Sequence, residues 1–180
     1  TYIAKGQIIQ RGKNGLFYFL LQDEVYFYKN GQFKNLHLWR EIQERINSIY
    51  FTRDGTLYVG TDGLGVKVYR PGRFVTINKK DGLLNHRIAA ITGNGRGTVY
   101  LGTWGGGVAI LHNGHIETLT MENGLKSNYI LSIHYSNDGH LYCGTNGWGV
   151  SIYKDGKFQV LSFKNDIAKN WIYAICEGHD

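Results

Sequence analysis

Residues 46–74 read INSIYFTRDGTLYVGTDGLGVKVYRPGRF, residues 88–116 read IAAITGNGRGTVYLGTWGGGVAILHNGHI, and residues 130–158 read ILSIHYSNDGHLYCGTNGWGVSIYKDGKF. The three stretches superpose without insertion or deletion at a step of 42 residues. Gly60-Thr61, Gly102-Thr103 and Gly144-Thr145 coincide, as do Ile46, Ile88, Ile130 and Ile172, and again Ile49, Ile91, Ile133 and Ile175. A fixed period of this size is the mark of a propeller or a solenoid. Within each unit short β-rich runs alternate with glycine turns; in the first they fall at 46–53, 56–61, 66–70 and 73–78. Asp54-Gly55 and Asp138-Gly139 bound strands one and two, because Asp followed by Gly tolerates the positive φ of a right-twisted hairpin. Gly63 and Gly65, with Gly105/Gly107 and Gly147/Gly149, supply the second turn, and Gly72, Gly114 and Gly156 the third. Each unit is therefore a four-stranded antiparallel meander.

Working outward, Val25 to Phe33 matches Val66 to Phe74 at a step of 41, so residues 1–45 form a degenerate first blade. That blade carries Leu20-Leu21-Gln22 in place of Gly-Thr, which predicts a different central turn. Full blades occupy 46–87, 88–129 and 130–171, and 172–180 is expected to be the innermost strand of a further blade. Such a meander cannot bury both faces alone, so the units must stack. Four antiparallel strands in about forty residues is the propeller blade, not a solenoid repeat. The fold class is all-β: about four blades of four antiparallel strands in one partial propeller. Small residues at one site of the first strand (Ser48, Ala90, Ser132, Ala174) suit the crowded centre. Gly60, Gly102 and Gly144 would let neighbouring blades approach. Tyr58, Tyr100 and Tyr142 would fill the joints between blades.

Composition agrees. Of 180 residues, 42% are hydrophobic and 14% aromatic, with 25 glycines and one proline, which favours many short strands over helices. The formal charge is +6, but basic residues are interleaved with acids and form no block of like charge, which argues against nucleic acid as a partner. The longest apolar run, Leu16 to Leu21, is too short to span a bilayer, and no signal-peptide core follows Thr1. This segment is expected to lie outside the membrane. Cys143 and Cys176 have no metal-ligand spacing and are expected to be small hydrophobes within strands.

The run from Ile46 to Phe74, with its DGTLYVGTDGLGV core, resembles the two-component regulator propeller repeat, in three complete copies, one degenerate and one partial. The resemblance implies the periplasmic sensor region of a hybrid histidine kinase, of the kind best known from gut Bacteroidetes and associated with detecting glycan breakdown products. It implies no cofactor. Those sensors have about seven blades, and a closed ring takes roughly four to eight. Too few blades for that ring implies self-association or packing against further blades.

On a repeated scaffold, function belongs to the positions where the repeat breaks. Two loop sets share one face. The turn between strands two and three varies at Asp62, Trp104 and Asn146 and at Leu64, Gly106 and Trp148. The connection between blades ends in Arg45, Arg87, Tyr129 and Trp171, preceded by Glu44, His86, Asn128 and Asn170. Aromatic faces interleaved with Arg, Asn and His suit an oligosaccharide, whose C–H faces stack on rings while its hydroxyls need planar polar partners. The Arg pair would also suit an acidic sugar. The candidate ligand residues are Arg45, Arg87, Tyr129, Trp171, His86, Asn128, Asn170, Trp104 and Trp148, with packing over a neighbouring blade as the plainer role for each tryptophan. No catalytic or metal-binding spacing is present. His112 and His115 flank a turn glycine, and His86 is the one histidine at the mouth. A streptogramin-type lyase would require more histidines there with a carboxylate partner, so the chain reads as a sensor and not as an enzyme. A protein-interaction scaffold is the other class that the fold allows.

Overall fold

The computed structural model describes residues 9–11, 15–21, 23–70, 73–161 and 170–178. Among them sixteen strands form four sheets, each a meander of four consecutive antiparallel strands. The first blade holds β1 (Ile9–Arg11), β2 (Phe17–Leu21), β3 (Glu24–Lys29) and β4 (Gln32–Asn35), followed by the single-turn helix α1 (Trp39–Ile42). The second holds β5 (Ile46–Phe51), β6 (Leu57–Thr61), β7 (Val66–Arg70) and β8 (Arg73–Ile77). The third holds β9 (Ile88–Gly93), β10 (Thr98–Thr103), β11 (Val108–His112) and β12 (His115–Leu119). The fourth holds β13 (Ile130–Tyr135), β14 (Leu141–Thr145), β15 (Val150–Lys154) and β16 (Lys157–Val160). The protein is all-β, a partial propeller, and its strands fall where the period places them.

Turn chemistry accounts for the hairpins. Asn30-Gly31, Asn113-Gly114 and Asp155-Gly156 both take positive φ (52° and 80°, 49° and 80°, 48° and 79°), the two-residue turn that matches strand twist. Gly72 lies outside the described residues. The turn between strands one and two differs from expectation: Gly55 alone is left-handed (φ 86°), while Asp54 accepts hydrogen bonds from Thr52 Oγ1, Thr56 N and Thr56 Oγ1. Aspartate serves there as an acceptor that closes the loop, not as a second left-handed residue. The first blade's central turn does differ from the others, with Asp23 at φ 62°.

Each core lies between blades. Val25, Ile42, Ile49 and Val59 are buried together at the first joint, Val66, Ile88, Val99 and Leu101 at the second, and Val108, Ile130, Ile133 and Leu141 at the third. Both faces of a middle blade are thus covered by its neighbours. The innermost strands β5, β9 and β13 run side by side, and each of them bulges near its start. A Cβ on Gly60 would come within 2.7 Å of Ile88 Cγ2, and one on Gly102 within 2.6 Å of Ile130 Cγ2. Glycine is needed because the following blade's isoleucine occupies that space. Aromatic pairs fill the outer part of the first and third joints, Tyr18 on Phe51 at 3.9 Å and Tyr100 on Tyr135 at 5.3 Å between ring centroids.

The end of the chain departs from the repeat. Residues 170–178 form no strand, where the sequence predicts an innermost strand from residue 172 on. Ile172 nevertheless occupies its periodic place: its N donates to Thr145 O (3.2 Å) and its carbonyl accepts from Ser132 Oγ (2.8 Å). Ser48 and Ser132 are buried as the crowded centre requires, whereas Ala174 is exposed. Cys143 is buried in β14, and burial pushes its thiol up to about 12, so it is an inert apolar group. Cys176 is exposed and outside any strand, contrary to the sequence expectation.

Candidate functional site

The repeated threonine shapes the turn between strands two and three. Thr103 Oγ1 donates to Gly107 O (2.9 Å) and accepts from Gly106 N (3.0 Å). Thr61 does the same with Gly65 O and Leu64 N, both at 2.9 Å, and Thr145 Oγ1 donates to Gly149 O at 2.8 Å. All three are fully buried, so the Gly-Thr dipeptide joins a notch for the next blade to an internal brace for the loop.

The connection between blades is equally prescribed. Asn78 and Asp81 form a reciprocal cap around the 3-10 turn Lys79–Asp81, and Thr120 with Asn123 repeats it around Met121–Asn123. Leu83 and Leu125 follow as buried anchors. The chain is then stitched first to the preceding blade's turn and next to its own. His86 O accepts from Gly65 N (2.8 Å), and Arg87 O from Trp104 N (2.9 Å). Asn128 O accepts from Gly105 N (3.0 Å) and Gly107 N (2.9 Å), and Tyr129 O from Asn146 N (3.0 Å). Asn170 O accepts from Gly149 N at 3.3 Å. Residues 87 and 129 are therefore wedged between two turns; the Arg87 side chain meets residues of both, and the Tyr129 ring meets Trp104.

The result is a contiguous polar and aromatic run. Arg87 Nε donates to Asp62 Oδ1 at 2.7 Å, and its guanidinium lies 5.2 Å from the centre of the Trp104 ring. Trp104 meets Tyr129 edge-on at 5.7 Å. Asn47, at the bulge of β5, donates from one amide nitrogen to both Asp62 Oδ1 and Ile88 O, each at 3.1 Å. Farther along, Trp171 and Tyr173 lie 6.1 Å apart, and both are mostly exposed.

Other expected ligand residues stand in different settings. Asn128 Oδ1 accepts from Met121 N (2.9 Å), so its side chain braces the connection. His86 is half-buried, Asn170 and Arg45 are exposed, and Trp148 is 58% exposed with its ring free of the Trp104–Tyr129 pair. Asn47 and Tyr173 were not singled out by the loop argument, although a signal exists. They share a periodic position with Ala89 and Leu131, and a polar or aromatic departure on an innermost strand marks the mouth as well as one in a loop does.

Burial disfavours the ionised form of Asp62, but hydrogen bonds from Arg87 and Asn47 and the charges of Arg87 and Arg45 outweigh it and lower its pKa from the ordinary value near 3.8. A depressed carboxylate contributes stability above its unfolded pKa and loses it as pH falls through the folded value. The melting temperature of Asp62→Asn should therefore fall less between pH 4 and lower pH than that of the parent protein, as checked by thermal melts across that range.

The model of the two component regulator propeller family matches residues 41–63 and 124–147, so the resemblance read from the repeats holds. No curated protein matches the sequence. Similar solved structures include the extracellular domain of a hybrid two component system of B. thetaiotaomicron, with 17% identity over 88% of this chain and 24% of that one, at a TM-score of 0.69. The extracellular domain of a one component system of the same organism shares 21% identity over 88% of this chain and 22% of that one, at 0.67. Virginiamycin B lyase from Staphylococcus aureus shares 13% identity over 89% of this chain and 56% of that one, at 0.65. These likenesses show the fold. The chain spans about a quarter of the length of the two sensor domains.

Proposed function

We propose that this chain is part of an extracytoplasmic propeller that binds a carbohydrate at its mouth and signals to a kinase outside the segment. The contiguous run Asp62–Arg87–Trp104–Tyr129 carries the reading: a pair of planar hydrogen-bonding groups stands beside a pair of aromatic rings, the combination that sugar hydroxyls and C–H faces require. The propeller-family match and the fold shared with extracellular sensor domains support the extracytoplasmic placement and the signalling role. Trp171 and Tyr173 extend the surface around the same mouth. A ligand held there shifts the receptor by its difference in affinity between two arrangements of the propeller and its neighbours. The exposed rings of Phe17, Tyr28 and Phe33 on the first blade support packing against further blades or a second copy. We read the segment as a binding module without catalytic activity.

The test is calorimetric titration of the protein with a panel of neutral and acidic oligosaccharides. Saturable binding is expected, weakened about tenfold or more by Arg87→Ala and by Trp171→Ala, equivalent to about 1.4 kcal/mol or more. Binding that survives both substitutions unchanged would remove the mouth from consideration. Bond cleavage of a bound sugar would turn the reading toward a lyase.

A further inference from the structure

The joint between the second and third blades lacks the aromatic pair that fills the other two. Tyr58 stands where Tyr18 and Tyr100 stand, pairing with Val68 as Tyr18 pairs with Phe27 and Tyr100 with Ile110. The residue it should meet, in register with Phe51 and Tyr135, is Gly93. Leu111 likewise replaces the tyrosine found at 69 and 153. Tyr50 leans into the place such a ring would take: a Cβ on Gly93 would come within 2.7 Å of the Tyr50 ring.

The same joint holds a cleft of about 590 Å³, lined by the strand one–two and strand three–four turns, and so on the face opposite the mouth. Val68, Ile77 and Leu111 give it an apolar floor; Arg53, Arg70 and Arg73 reach its rim. The three arginines belong to this blade alone: the corresponding residues are Gly95, His112 and His115 in the third blade and Asn137, Lys154 and Lys157 in the fourth. Arg70 lies beside the Tyr58 hydroxyl, and its charge acts on it. The cleft's carboxylate, Asp54, is already occupied by Thr52 and Thr56, and no salt bridge among the described residues engages the three guanidiniums.

The geometry points to a second binding site here, for a small organic anion of about disaccharide size carrying carboxylate or sulfate groups. Guanidinium forks match such groups in bidentate fashion, Tyr50 and Tyr58 add hydroxyls, and the apolar floor takes the body of the ligand. The site is independent of the mouth, because none of its residues is shared with it.

The full chain should be titrated at low salt with digalacturonate, a trisulfated heparin disaccharide and lactose. At least one anion should bind saturably, and lactose at least tenfold more weakly. Arg70→Gln/Arg73→Gln should weaken the anion tenfold or more, whereas Arg87→Ala at the mouth should leave it unchanged. Tyr50→Thr/Gly93→Tyr, which restores the missing ring and clears space for it, should abolish binding; if that variant does not fold, the arginine pair decides. Failure of both anions to bind, equal binding of lactose, indifference to the arginine pair, or loss only with Arg87→Ala would each overturn the assignment. The last result would move the anion to the mouth and leave that site's proposed role standing.

Discussion

Gly102→Val is expected to lower the unfolding free energy by about 3 kcal/mol, at the upper end of what overpacking costs. Even the first added carbon would stand 2.6 Å from Ile130 Cγ2, in a joint where Ile130 and Leu101 are fully buried and the backbones of two blades are already apposed. Neither partner is the free end of a flexible chain, so relief requires the blades to part. Urea denaturation should show an earlier midpoint at an unchanged slope. An unchanged midpoint would mean that the blades do not meet through this glycine.

The opposite change at the same contact should be as damaging for the opposite reason. Ile130→Ala empties the space that the isoleucine fills against β10 and is expected to cost about 3–4 kcal/mol, the transfer loss plus a cavity. The two effects should be coupled. Removing Cγ2 of Ile130 clears the space that a side chain at 102 would need, so Gly102→Ala/Ile130→Ala should cost less than the sum of its parts. Additive losses would show that the two residues act separately.

These contacts also explain how much could be read from the sequence. The 42-residue step gives strand order, turns and blade boundaries because every blade meets its neighbour in the same way, so a residue serving that contact must recur. The Gly-Thr dipeptide was visible as a repeat, but Thr103 acts through a hydroxyl bridging its own loop, which spacing does not reveal. The breaks in the repeat single out Arg87, Trp104 and Tyr129, whose side chains the structure brings together. The pairing of Arg87 with Asp62 depends on how two blades interlock, and that is a matter of geometry. For Asn128 the loop position does not reveal that its carboxamide oxygen accepts from Met121 N and braces the connection. The cleft is not legible in the spacing, because its walls are assembled from the turns and strands of two neighbouring blades.

The isoleucine-in-glycine contact has a direction. The second, third and fourth blades each offer a socket to the isoleucine that follows, at 88, 130 and 172, so the interface is heterologous and never satisfies itself. Nothing in such a contact counts. A gene duplication or loss of one such 42-residue unit leaves the glycine sockets and isoleucine pegs on either side of it still matched, and the ring size of a lineage can drift without any interface having to be invented. Only the angle between successive blades limits how many fit before the first socket meets the last peg.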